Sequence, residues 1–318
     1  MEREKKIMNE SSMKQSLRRV ILFFICISFF CVGVAYLLIR LFMNAFNDTT
    51  QERMMEEVNS YKERIEKQID RDFQMLNTVA GMIGTAELYQ TDSFHSTLEK
   101  ADLANDFLLF GFFDSEGNGF VSRQKESYAL SLDKVQEELR ETIRYSYEGK
   151  ESVSNAFWGK ISQEVVLMFS VPVYHENEIV GALVASDDVD VFSDTIGENQ
   201  IFSGSGTVHL VDSEGNFILR ADDSVVKEEK KTILEEPYIS KDKINEIRDS
   251  LKSLKTIEFD FKYQKENYNV LLKPLKVNGW YIMCINSVEN ANKNIYRMVK
   301  VVEGFIAIIM VLFFICLF

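Results

Sequence analysis

Val20 to Ile39 carries no charged residue. A run of about twenty apolar residues can cross roughly 30 Å of hydrocarbon as a helix, so the pattern predicts a transmembrane helix over 20–40. A cleaved signal peptide is the alternative. The run exceeds the usual apolar core of a signal, and no A-x-A-like site follows it. A second apolar run, Gly304 to Phe318, closes the chain. It reads either as a second membrane helix cut in mid-span, with further sequence beyond it, or as a short C-terminal anchor. Between these runs the period changes. Val58, Tyr61, Ile65, Ile69, Phe73, Leu76 and Val79 (or Ala80) recur at steps of three and four with charges between them, and no proline interrupts Met43 to Ile83. That predicts a stalk helix over 41–84, rising roughly 60 Å at about 1.5 Å per residue. Its apolar stripe must bury itself on the rest of the chain, on a second copy of the helix, or on both.

After the stalk come short apolar runs separated by turn residues, and one phrase occurs twice. Asp114-Ser115-Glu116-Gly117-Asn118 and Asp212-Ser213-Glu214-Gly215-Asn216 each sit between strand-like runs. Asp and Asn bond their own backbone and Gly accepts positive φ, so each phrase reads as a hairpin turn. Pro172 and Pro274 follow the two turns at nearly matching offsets, both in β-rich segments. A helical stretch lies between turn and proline in each half. One spans roughly Leu132 to Tyr147, with Leu132, Val135, Leu139 and Ile143 on one face. The other spans about Lys241 to Leu254, with Ile244, Ile247, Leu251 and Leu254. Each half reads as strand, turn, strand, helix and three strands, which is one fold used twice.

Charge orients this arrangement. Lys14, Arg18 and Arg19 precede the first apolar run, behind Arg3, Lys5 and Lys6, which places the N-terminus in the cytoplasm and residues of about 41–298 outside. The formal net charge is −13, and an acidic surface repels nucleic acid and anionic lipid. Cys26, Cys31 and Cys316 lie in the apolar runs, leaving Cys284 alone in the outer part, so no intrachain disulfide can form there. A large outer domain without disulfides points to a bacterial cell membrane.

A cytoplasmic tail, a membrane helix, a long outer helix, two tandem modules and a return helix together resemble the double Cache sensor domains of bacterial receptors. The stretch from Phe169-Ser170-Val171-Pro172-Val173 to Ile179-Val180-Gly181-Ala182-Leu183-Val184 is similar to that family's proline- and glycine-marked strand pair. The resemblance implies an α+β fold: a long N-terminal helix, then two tandem PAS-like modules with antiparallel sheets, flanked by two transmembrane helices. The parts are a cytoplasmic tail (1–19), the first membrane helix (20–40), the stalk (41–84), a membrane-distal module (85–194), a membrane-proximal module (195–288), and a connecting helix with the second membrane helix (289–318). It further implies a small solute held in the distal module, between the sheet and its covering helix and loops. The output would be a cytoplasmic effector outside these residues, first a diguanylate cyclase, then a histidine kinase or chemoreceptor. The apolar stripe of the stalk, for its part, predicts a homodimer through that helix. Many amino-acid-binding members hold the ligand carboxylate with an Arg-x-aromatic-aromatic segment and the amine with an Asp on a late strand. The nearest match to the former here, Arg144-Tyr145-Ser146-Tyr147, falls at the end of a helix.

A pocket for a small polar solute needs aromatic walls and a few oriented polar groups. Phe157 and Trp158 are candidate walls, Trp158 being equally readable as core. Arg123, with Tyr128 nearby, can pair with a carboxylate or simply be solvated. Asp187 and Asp188 end a strand where they could hold an amine or cap the next helix. The three histidines, His95, His175 and His209, lack metal-ligand spacing, and no Walker loop, Gly-x-Ser-x-Gly or HExxH occurs. The residues therefore predict no cofactor, no metal and no enzyme activity of their own. The competing reading is a membrane-anchored protein-interaction module.

Overall fold

The computed structural model describes residues 2–91, 93–103, 107–124, 126–192, 205–221, 231–291 and 293–317. They divide into two units, residues 54–288 and residues 1–53 with 289–318.

The larger unit is built on the C-terminal part of helix α1 (Glu2–Thr85). Val58, Ile65, Ile69 and Leu76 are fully buried, and Ala80 and Ile83 nearly so. These side chains share one hydrophobic cluster with Leu167, Phe169 and Leu183 of a first sheet and with Leu210, Leu271 and Ile282 of a second. Of the burials the stripe could find, it takes both modules of its own chain. Each aliphatic side chain so buried contributes about 1.5–3 kcal/mol. Polar contacts fix the register: the Lys62 ammonium donates to the Pro274 carbonyl at 2.6 Å and the Lys276 N–H to the Glu66 carboxylate at 2.8 Å.

The distal module begins with α2 (Phe94–Leu103). Its strands are β1 (Leu109–Asp114), β2 (Asn118–Arg123) and β3 (Glu126–Ser131), then, after α3 (Glu137–Tyr147), β4 (Ser152–Val153), β5 (Phe157–Trp158), β6 (Val165–His175) and β7 (Glu178–Asp188). They form an antiparallel sheet of order β3-β2-β1-β7-β6-β4, with β5 also on β6. The proximal module holds β8 (Gly206–Val211), β9 (Phe217–Leu219), α4 (Lys241–Lys252), β10 (Ile257–Tyr263), β11 (Glu266–Pro274) and β12 (Tyr281–Ser287), in the order β10-β11-β12-β8-β9. The two orders superimpose, β2-β1-β7-β6 on β9-β8-β12-β11, so the internal repeat is structural.

The doubled phrase makes the same turn twice. Asp114 Oδ1 accepts from the N–H groups of Glu116 and Asn118, and Asp212 Oδ1 from those of Glu214 and Asn216. Gly117 and Gly215 take φ of 86° and 84°, the region glycine alone enters cheaply. Pro172 and Pro274 lie on the equivalent strands β6 and β11, each just beyond the last residue paired with the outer neighbour, where a missing N–H costs no ladder bond.

Helix α3 starts at Glu137 rather than near Leu132, because Glu126–Ser131 pairs with β2 as an edge strand. Leu132 then packs over the first turn, its N–H donating to the Gly117 carbonyl at 2.8 Å. The smaller unit comprises residues of α1 before Met54 together with most of α5 (Val288–Ala291) and all of α6 (Lys293–Leu317). Many side chains of the 20–39 and 304–318 runs lie outside the described residues. Among the described residues, no helix is long and apolar enough to cross a membrane.

If the stripe of α1 holds the two modules together, Ile69→Ala should cost about 2–5 kcal/mol and lower the thermal midpoint by several degrees. Met82→Ala, on the same helix but 62% exposed, should change it little. Equal effects from the two substitutions would contradict the packing.

Candidate ligand-binding site

The distal sheet has two dissimilar faces. One carries Phe110, Phe112, Leu167, Phe169, Leu183 and Ala185 into the cluster with α1. The other carries Leu109, Val121, Met168, Ala182 and Val184 against Leu139 and Ile143 of α3. Between this second face and the β5–β6 loop lies a cleft offering about 40 Å³ to water-sized molecules. Its walls are mostly apolar, among them Leu109, Val121, Leu139, Phe157, Val166 and Met168.

The roof of the cleft is residues 159–164, which are fixed by hydrogen bonds at several points. Gly159 N–H donates to the Glu164 carbonyl at 2.9 Å, and Gln163 N–H to the Gly159 carbonyl at 2.8 Å. Gln136, at the N-cap of α3, clamps the loop from the other side: its amide donates to the Trp158 carbonyl at 3.0 Å and accepts from Lys160 N–H at 3.1 Å. Gly159 packs closely on the loop: a Cβ there would meet Ser162 Oγ at 2.1 Å, so a larger residue would have to displace that hydroxyl.

Arg123 also reaches this roof. Val121 lines the cleft and Arg123, two residues on, projects from the same face of β2. Its Nη1 donates to the Ile161 carbonyl at 2.7 Å, and Nη2 lies 4.0 Å from Glu164. Its Nε is buried without a hydrogen-bond partner among the protein groups. Ser186 is the second such group. It lines the cleft, is 1% exposed, and its Oγ has no protein partner. Buried polar atoms are nearly always paired; Ser186 Oγ is an unpaired one in the lining of the cleft, and Arg123, which does not line it, carries another beside the roof.

The residues singled out from the sequence separate on this geometry. Phe157 lines the cleft and Arg123 braces its roof. Tyr128 pairs with Val121 across β2–β3 but is partly exposed and does not line the cleft, its hydroxyl bonded to Glu126 at 2.5 Å. Trp158 is 56% exposed and does not line the cleft. Asp188 stands opposite Val166, yet its Oδ1 accepts from Asp190 N–H at 2.9 Å in a local turn. Asp187 projects from the other face of β7, with Ala185 and Leu183, towards α1. Ser186, Gln136, Lys160 and Ser162 line the cleft without having been singled out. Ser186 was legible in principle: it continues the alternation of Ala182 and Val184 on the cleft face.

Asp187 meets Asp72, which occupies a buried position on the α1 stripe and is 7% exposed. Gln68 donates to Asp72 Oδ1 at 3.0 Å, while Oδ2 has no hydrogen-bond partner. Burial first, and then the charge of Asp187, push the Asp72 carboxyl up to about 7. The histidines are dispersed. His175 Nδ1 lies 3.0 Å from the Gly84 carbonyl, and the His95 ring packs tilted against Phe120. His209 is wholly buried, accepts from Ala221 N–H, and is driven down to about 3 by burial. Among the described residues, no three His, Cys, Asp or Glu side chains gather to hold a metal.

Two PAS-like modules on one helix, the first with a roofed cleft on the sheet face away from that helix, define a sensor-type α+β protein. The sequence model described as a Cache domain, in its double form, matches residues 42–295, and the chain belongs to this family. Among solved structures it is similar to the sensory domain of the Campylobacter jejuni chemoreceptor Tlp3 with isoleucine bound. That match has 11% identity and a TM-score of 0.58, and covers 79% of this chain and 97% of that one. The ligand-binding domain of the Pseudomonas fluorescens chemoreceptor CtaA in complex with L-leucine matches at 14% identity and TM-score 0.58, covering 78% and 99%. The extracellular domain of mmHK1S-Z2, assigned as a histidine kinase, matches at 10% identity and TM-score 0.60, covering 76% and 98%. At these identities the likeness is one of fold. No curated protein is significantly similar to the chain.

The Asp72 carboxyl gives a pH dependence of definite sign. The unfolded chain ionises it near 3.9, the folded chain only near 7. The unfolded state therefore loses its proton first, and stability falls as pH rises from about 4 to about 7. Asp72→Asn should raise the thermal midpoint more at pH 8 than at pH 5, by roughly 3–8 °C. An equal effect at both pH values would show that Asp72 is not held protonated.

Proposed function

We propose that this chain is the extracytoplasmic sensing region of a bacterial transmembrane receptor, and that it binds a small solute in the distal cleft. The observation that carries this reading is the cleft itself: apolar walls, a roof held by hydrogen bonds and braced by Arg123, and the buried Ser186 hydroxyl without a protein partner. Membership of the Cache family supports it, as do fold neighbours that include sensory domains with isoleucine and L-leucine bound.

β7 supplies a route for the signal. Ser186 faces the cleft and the next residue, Asp187, faces α1 beside Asp72. A ligand that draws β7 or the roof inward shifts the packing on α1, and it moves the equilibrium only by its differential affinity for the two states. In this reading the uncharged run Val20–Ile39 spans the membrane with the N-terminus in the cytoplasm, and the run from Gly304 returns through it. The output is a cytoplasmic effector, a diguanylate cyclase before a histidine kinase or chemoreceptor. Two copies pair along the face of α1 that the modules leave open, where Met82 lies exposed.

Thermal-shift screening of the full chain in detergent, against amino acids, carboxylates, amines and purines, should yield at least one stabilising class. Phe157→Ala should weaken that ligand about tenfold, in line with removing a buried aromatic wall. Trp158→Ala should change its affinity less than about twofold. A ligand indifferent to Phe157→Ala would place the site elsewhere.

A further inference from the structure

We propose that the distal cleft takes a short aliphatic monocarboxylate, on the scale of propionate, and discriminates against the corresponding α-amino acid. The proposal rests on the reading that the cleft is the ligand site, and adds the chemistry of what enters it.

Of the polar side chains that line the cleft, Lys160 is a cation, Ser162 and Ser186 carry hydroxyls that can donate, and the Gln136 amide is already committed to Trp158 and Lys160. Ser186 Oγ is buried with no protein partner, and Arg123 Nε is a buried donor in the same condition. Arg123 Nη1 is already committed to the Ile161 carbonyl, a lining residue, so the guanidinium is held at the edge of the cleft. Lys160 adds a second positive charge to the lining. A carboxylate accepts from a hydroxyl and a guanidinium N–H in charge-assisted bonds.

An ammonium group, by contrast, finds no carboxylate. No Asp or Glu lines the cleft. Asp187 lies on the far face of β7, and Asp188 Oδ1 accepts from Asp190 N–H. Glu164 is half-exposed on the roof, with Arg123 Nη2 at 4.0 Å. Desolvating an ammonium without a counter-charge is costly, whereas the rest of the wall suits an alkyl chain. Size points the same way. About 40 Å³ of water-reachable space within an open cleft suits a ligand whose buried part is small.

Calorimetry on the full chain in detergent, with propionate, alanine, propionamide and propylamine as probes, tests the chemistry. Propionate should bind, and alanine, propionamide and propylamine should each bind at least about tenfold more weakly. Ser186→Ala should weaken propionate roughly tenfold or more without lowering the thermal midpoint of the ligand-free protein, because the hydroxyl it removes has no protein bond to lose. Arg123→Lys, which keeps the charge but not the Nε donor, should also weaken propionate. Alanine binding as well as propionate would overturn the proposal while leaving the cleft as the ligand site. Propionate binding unchanged by both substitutions would overturn it by placing the carboxylate elsewhere. If no compound of the broader screen binds, the reading of the cleft as a ligand site falls, and the proposal with it.

Discussion

The apolar stripe of α1 has to leave water, and the rest of the larger unit is arranged to let it. Val58, Ile65, Ile69 and Leu76 are fully buried, and the side chains that cover them come from both sheets. Each sheet thus gives one face to α1. The same strand order in the two modules follows naturally, since two copies of one fold can offer the same face to one helix. Direct bridges between modules are fewer. Asn155 accepts from the Trp280 indole N–H at 2.8 Å, and the Phe192 and Trp280 rings meet edge to face.

Committing one sheet face to α1 decides where a ligand can go. The other face of the distal sheet is covered by α3 over part of its area, and the uncovered remainder is the cleft roofed by residues 159–164. Alternation along β7 then puts Ser186 into the cleft and Asp187 on α1. A strand two-sided in this way joins ligand chemistry to helix packing within two consecutive residues. At the same junction the stripe departs from its own pattern: Asp72 takes a core position beside Asp187, and burial pushes its carboxyl up to about 7. A carboxyl there costs stability that an apolar residue would not, which is the kind of local conflict that tends to collect at functional elements.

Much of this was legible in the residues. The doubled Asp-Ser-Glu-Gly-Asn phrase marks two equivalent turns because its Asp and Gly can make little else. The stripe of α1 is visible because helical periodicity is a local property, and Pro172 and Pro274 mark equivalent strands because both lack a donor. Face assignments were harder. Whether Asp187 or Ser186 enters the cleft turns on a single residue of register, and neighbouring residues of a strand point to opposite sides. Two adjacent carboxylates draw attention as an amine site, yet one faces α1 and the other closes a local turn. Trp158 has the chemistry of a pocket wall, but lies outward on a two-residue strand whose inward position belongs to Phe157. Asp72 was hidden because a charge within an amphipathic helix ordinarily reads as solvated. Helix α2 was hidden because only Phe94, Leu98 and Asp102 of its residues are buried, too few to set a period.

The central claim is that a small solute sits on the distal sheet face turned away from α1 and is felt by α1 through β7. Hydrogen exchange on the full chain, with and without saturating propionate, addresses both halves at once. The account predicts slower exchange in residues 157–168 and 184–188, with a smaller change in α1 around 69–76. Protection confined to the proximal strands, within 206–219 and 257–287, would contradict it.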